Sequence, residues 1–247
     1  MILRACRRCN GHKADLENDL SAISMQPDAA GRYPESDPTL ISQAVRKGAK
    51  SVSRRTGKPV NASQEKLSLN LSYAPGIEFD FQFTSAPQAD SQRVYELARL
   101  QLMGFFYCLT FDGNTRKGSF WRGGFFPIFD TVRSDWGNLV MRGFMDTVVT
   151  WRPRLLGIGA DGFFKIAIRE HPMSACWSWA LEWNKNYRII GFFGDQQTAK
   201  TIANGFPRLK LQSIAEGRDS FMRYYLETPL SDEEDKLFSC ENTIADR

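Results

Sequence analysis

The chain has 247 residues, 42% hydrophobic and 24% charged, ordinary for a folded protein and enough for one large domain or two modest ones. Its formal charge of +4 hides a split: residues 1–66 carry 12 Lys/Arg against 7 Asp/Glu, and residues 67–247 carry 20 against 21. No apolar run approaches the roughly 20 residues of a membrane helix, and the N-terminus has no apolar stretch suited to a signal peptide. No membrane partner and an intracellular, reducing, cytoplasmic location are therefore expected. Five cysteines, an odd number without framework spacing, argue against a disulfide scaffold. The aromatics are divided like the charge. Of 31 Phe, Tyr and Trp, only Tyr33 lies in the first 66 residues. A basic, aromatic-poor front precedes an aromatic-rich body, and only the body has the means to build a core of its own.

The front opens with Cys6-Arg7-Arg8-Cys9 and Asn10-Gly11-His12-Lys13, followed by a short helix through 15–20. Pro27, Gly31, Pro34 and Pro38 mark a loop. A basic helix is predicted from Thr39 to about Ser53, with Leu40, Ala44 and Val45 on one side. It runs into the loop Arg54-Arg55-Thr56-Gly57-Lys58-Pro59.

In the body, Leu67, Leu69, Leu71 and Tyr73 alternate with polar residues, and so do Ile77, Phe79, Phe81 and Phe83. With Pro75-Gly76 between them they predict a hairpin. A helix capped by Asp90 or Ser91 runs to about Leu109, with Val94, Leu97, Ala98, Leu102, Phe105 and Phe106 at helical spacing. Residues 115–134 give no assignable pattern, and 135–152 read equally as helix or strand. A strand is expected at 163–169. A second hairpin is expected at 176–183 and 187–193, then a helix at 196–204. Ser231-Asp232-Glu233-Glu234-Asp235 reads as a solvated cap or the start of a last helix. Hairpins separated by helices make the expected class α+β, with a mainly antiparallel sheet in the body. The expected divisions are a remnant at 1–35, a basic helix and linker at 36–66, and an α+β domain at 67–247.

The sharpest local signal is Cys6-x-x-Cys9 with Asn10 and Lys13. Two cysteines at this spacing can present two thiolates to one Zn²⁺, but a structural zinc needs four ligands and the other two are not evident. Cys108, Cys176 and Cys240 sit singly and read as buried free thiols. Residues 3–17, Leu3-Arg4-Ala5-Cys6-Arg7-Arg8-Cys9-Asn10-Gly11-His12-Lys13-Ala14-Asp15-Leu16-Glu17, resemble the closing helix of the HNH endonucleases, the ββα-metal nucleases. The resemblance covers about 20 residues. It implies that Cys6 and Cys9 are the second pair of a four-cysteine zinc site. It also implies that Asn10 is the last position of the HNH signature, a ligand of the catalytic divalent metal, commonly Mg²⁺. Lys13 matches the trailing lysine. The first CxxC and the Asp-His pair that supplies the base and a metal ligand are not in this sequence, whose histidines are His12, after Gly11, and His171, after Glu170. Water activation then lacks its base and half of its metal site. A methionine start inside the motif points to a start placed too late; a shortened protein that has lost the chemistry is the alternative. Without the missing strands and zinc, the first 35 residues are expected to be loosely held.

The basic stretch Arg46, Lys47, Lys50, Arg54, Arg55 and Lys58 can neutralise phosphates, so DNA is the expected partner; a solvated linker is the alternative. Trp177, Trp179, Leu181 and Trp183 share one strand face, read as a sheet core rather than a base-stacking platform. Asp135, Asn138, His171 and Glu182 could form a separate site, but their spacing does not require it. The expected function is thus an HNH endonuclease-related, nucleic-acid-binding protein, inactive as this chain. The alternatives are a non-catalytic interaction module with a basic tether, and an unrelated enzyme carried by the body.

Overall fold

The computed structural model describes residues 6–28, 30–64, 66–209, 211–213, 221–223 and 227–239. Cys240 lies outside them, as does the resemblance at residues 3–5. The architecture is α+β, and its largest element is a five-stranded, wholly antiparallel sheet. The chain forms two compact units. One is drawn from residues 6–14, 94–208 and 227–239, the other from residues 15–93 and the short strand pair after residue 209.

Helix α1 (Arg7–Ile23) enters the second unit at Asp15 and buries Leu16, Asp19, Leu20, Ala22 and Ile23 along its C-terminal half. The helix is therefore much longer than the predicted 15–20 segment. Far from loosely held, it is anchored from Asp15 onward. The α2 helix (Pro38–Lys50) is N-capped by Asp37, whose Oδ1 accepts from the Thr39 amide at 2.7 Å. It buries Ala44 and Gly48, whereas Val45 faces outward at 45% exposure. The reason is a polar bridge. Buried Gln26 donates from Nε2 to Ala22 O (3.0 Å) and Ala44 O (3.1 Å), tying the end of α1 to α2. A Cβ on Gly48 would lie 2.7 Å from Gln26 Oε1, so the bridge needs glycine there. Buried Val60 joins Ala22 and Ile23 in a small apolar cluster. The predicted hairpin is present as β1 (Lys66–Ala74) and β2 (Ile77–Thr84), with Leu69 opposite Phe81 and Leu71 opposite Phe79. Strands β8 (Leu211–Ser213) and β9 (Phe221–Arg223) pair antiparallel.

In the first unit, the predicted helix is α3 (Ser91–Leu109), capped by Asp90 Oδ1, which accepts from the amides of Gln92 and Arg93. The sheet runs β3-β7-β6-β5-β4, comprising β3 (Gly124–Val132), β4 (Arg152–Gly159), β5 (Phe164–Glu170), β6 (Cys176–Trp183) and β7 (Tyr187–Gly194). The β6–β7 hairpin turns through Asn184 and Lys185, both at positive φ as a tight hairpin turn requires. Helices α4 (Leu139–Val148) and α5 (Gln196–Asn204) complete the unit.

Both faces of the sheet are covered. On one, Phe106 of α3 meets Trp177 and Phe193 edge-on, while Trp179 stacks on Phe125. The tryptophan row is thus core, as read from its alternation. On the other, Cys176, Ala180, Ile190 and Phe192 pack with Met141, Phe144 and Val148 of α4 and with Leu230 and Leu237 of the C-terminal segment. Among the described residues, no helix is long and apolar enough to cross a membrane.

Candidate nucleic-acid interface and its surroundings

The Cys-x-x-Cys run sits at the N-terminus of α1. Cys6 precedes the first helical residue and Cys9 lies in the first turn, where its amide donates to Cys6 Sγ at 3.2 Å. This sulfur takes the place of an N-cap oxygen. Hydrogen bonding between the two thiols, with the Cys9 amide in second place, draws the Cys6 thiol below its ordinary range, and the same thiol pairing pushes the Cys9 thiol up. Both thiols are exposed, and so is Asn10, whose amide donates to Cys6 O at 2.9 Å. Lys13 is half-buried one turn on.

Among the described residues the donor set for a metal stops there. His12 is exposed and donates from Nε2 to Glu96 Oε1 at 3.0 Å. Among the described residues no group of three or more His, Cys, Asp and Glu side chains is placed to hold a metal ion. Two thiols do not complete the four-ligand site of a structural zinc, and one amide oxygen does not make a catalytic Mg²⁺ site. These residues therefore do not fit either ion by themselves.

The basic stretch divides into two kinds of residue. Arg54 forms an ion pair with Asp15, and Lys47 donates to Ser21 Oγ, both reaching back to α1. Burial lowers the Lys47 ammonium from its ordinary range. Asp15 also accepts from Arg93 at 2.9 Å, and these two arginines hold its carboxyl below the usual range. Asp19 is buried beside Arg93 Nε at 3.4 Å, and burial raises its carboxyl despite that partner. Arg46, Lys50 and Lys58 are exposed, as is Arg54 despite its ion pair, with Arg55 half-buried. Asp15, a residue of no distinct signal in the sequence, is what divides the arginines; its partners lie 39 and 78 positions away.

In the sheet unit, a charge row crosses three neighbouring strands. Lys165 of β5 lies opposite Glu182 of β6, and Glu182 opposite Arg188 of β7. Arg188 and Glu182 are fully buried, paired at 2.7 Å, with Lys165 Nζ 3.1 Å from the other carboxylate oxygen. Asp235 closes on Arg188 at 2.5 Å. The guanidinium carbon lies 3.7 Å from the centroid of Trp136 and 5.2 Å from that of Phe238. The acidic stretch at 231–235 is accordingly clamped rather than merely solvated. Arg133 reaches Asp232 and Arg142 reaches Glu234. Buried Asp135 accepts from the Thr228 amide (3.1 Å) and from Asn138 Nδ2 (3.1 Å), and Asn138 Oδ1 caps α4. His171 Nδ1 accepts from the Met173 amide at 3.1 Å, and its ring stands edge-on to Trp151. Asp135, Asn138 and His171 thus do local structural work. A further carboxylate, Asp130, accepts from the hydroxyls of Tyr95 and Tyr187, and burial with that carboxylate raises both phenols. Cys176 is buried, its thiol pushed up to about 11 by burial, and Cys108 is half-buried.

No protein-family model matches the chain, and no curated protein or solved structure matches it either.

Proposed function

We propose that this chain is a nucleic-acid-binding protein related to the HNH endonucleases, and that by itself it does not hydrolyse phosphodiesters. The observation that carries the reading is the Cys6-x-x-Cys9-Asn10-x-x-Lys13 run opening a 17-residue helix, with both thiols and Asn10 exposed on its first turns. The motif it resembles puts this run on a helix in the same way.

Binding rests on Arg46, Lys50 and Lys58, whose exposed charges can each neutralise a phosphate and release a counterion. Lys47, Arg54 and Arg55 add to the local potential. Lys47 and Arg54 also hold α2 and the following loop to α1, so they position the exposed cations. Hydrolysis requires a base within reach of the attacking water and a metal to take up developing charge. The sequence has no Asp-His pair, and His12 is committed to Glu96. Asn10 has no proton-accepting nitrogen and cannot replace the base.

Incubating the full chain with supercoiled plasmid and Mg²⁺ or Mn²⁺ tests the second half of the reading. No nicking is expected. Robust cleavage that disappears in Asn10→Ala would overturn it. The inward turn of Lys47 and Arg54 favours one other reading, a non-catalytic interaction module in which the basic stretch serves the fold. On that reading the chain has no affinity for nucleic acid at moderate salt.

A further inference from the structure

We propose that Cys6 and Cys9 form a redox-active dithiol, which closes to an intramolecular disulfide by exchange with a small disulfide carrying carboxylates. This chemistry goes beyond nucleic-acid binding and does not depend on it. Cys6 stands one residue before α1, and Cys9 lies in its first turn. The Asn10 amide donates to Cys6 O at 2.9 Å, so the turn between the pair has helical dimensions. Cα atoms three residues apart in such a turn are separated by about 5 Å. That lies inside the range of roughly 4.4–6.8 Å that a disulfide bridges. The side chains are already gathered. The Cys9 amide donates to Cys6 Sγ at 3.2 Å, and the two thiols hydrogen-bond to each other. Closing the S–S bond therefore needs side-chain rotation and no unwinding of the helix.

Exposure separates this pair from the other described thiols. Cys6 and Cys9 are open to solvent, whereas Cys108 is half-buried and Cys176 buried. Charge sets the class of oxidant. Arg7 and Arg8, between the cysteines, are exposed, and the helix N-terminus adds its own positive field. Both attract an anionic reactant, so a disulfide flanked by carboxylates is favoured over a neutral one. The two sulfurs have different roles. Cys6 Sγ accepts from a backbone amide, a bond that stabilises its thiolate, and it attacks first. One sulfur of the oxidant bonds to Cys6 Sγ and the oxidant's S–S bond breaks. The other half leaves as a thiolate, which takes a proton from water. Cys9 Sγ then releases its proton to water and attacks Cys6 Sγ. The mixed disulfide breaks, and the second half leaves as a thiolate that is protonated likewise. The pair has lost two electrons and two protons, and the oxidant has become two thiols.

Reaction of the full chain with oxidised glutathione tests this. The chain is reduced, freed of metal by a chelator, exposed to the oxidant, and quenched with N-ethylmaleimide in urea. Peptide mapping by mass spectrometry should find a Cys6–Cys9 disulfide, with Cys108 and Cys176 alkylated. Both cysteines of the pair are exposed and serine is a favourable N-cap, so the single serine variants keep the fold. In Cys9→Ser a glutathione adduct should accumulate on Cys6, because the resolving thiol is gone. In Cys6→Ser the adduct on Cys9 should form at least about tenfold more slowly. The rate of oxidation of the intact pair should fall as sodium chloride is raised, since salt screens the attraction of the anionic oxidant. The absence of a Cys6–Cys9 bond, a disulfide joining two copies, equal rates in the two single variants, or a rate indifferent to salt would overturn the proposal.

Discussion

Arg188 sits in the core with no solvent to share its charge. Its partners are Glu182, also fully buried, and Asp235, with Trp136 across its face. Breaking one member of such a pair leaves an uncompensated charge in an apolar surround, which costs about 3–5 kcal/mol. Arg188→Met should therefore lower the stability of the sheet unit by about that amount in urea unfolding. Adding Glu182→Leu should return part of the loss, because it removes a fully buried carboxylate left with Lys165 as its ion-pair partner. A double variant less stable than Arg188→Met alone would contradict this account. At Asp15 the sign of the pH effect follows from its lowered carboxyl. Its contribution is present above the unfolded value of about 4 and is lost as pH falls below it. Asp15→Asn should reduce stability at pH 7, and the loss should shrink progressively as pH falls below about 4. Unfolding midpoints measured at pH 7 and at several lower pH values check it, and a loss independent of pH would contradict it.

Among the elements, the hairpins and α3 were legible because period-two alternation, helical spacing and an N-cap at Asp90 survive in the sequence, and the structure adds for α5 a cap at Asp195. Strands β3 and β4 were not, for a shared reason. Each is an edge strand with an internal proline, Pro127 and Pro153, and a register shift beside it. Proline is tolerated at such edges and erases the strand signal. Helix α4 is short, ten residues, and its stretch of sequence reads equally as helix or strand. In the candidate site, the cysteine pair was legible because its partners are three residues apart. The fates of Lys47 and Arg54 were not, since sequence does not encode which distant acid meets which base. The sheet also explains a glycine. A Cβ at residue 191 would lie 2.5 Å from Phe126 O and 2.6 Å from the Trp179 ring. Gly191→Ala should cost about 1–3 kcal/mol through overpacking, measured by urea unfolding. A neutral effect would mean that β3 and β7 separate more easily than their pairing implies.

For the whole molecule, the excess of five positive charges in residues 1–66 is not all available to a ligand. Part is spent on Asp15, and part is buried against α1. In the stretch from Arg46 to Lys58, Arg46, Lys50 and Lys58 are exposed alongside the ion-paired Arg54, and on the proposal these three carry the interface. The most direct test is the affinity of the full chain for duplex DNA, measured by fluorescence anisotropy at salt concentrations from 50 to 300 mM. With three phosphate contacts, the logarithm of the association constant should fall against that of salt with a slope of about −3. Changing Arg46, Lys50 and Lys58 to glutamate should abolish binding while leaving the circular dichroism spectrum intact. Binding that ignores salt, or that survives the triple charge reversal, would contradict the account.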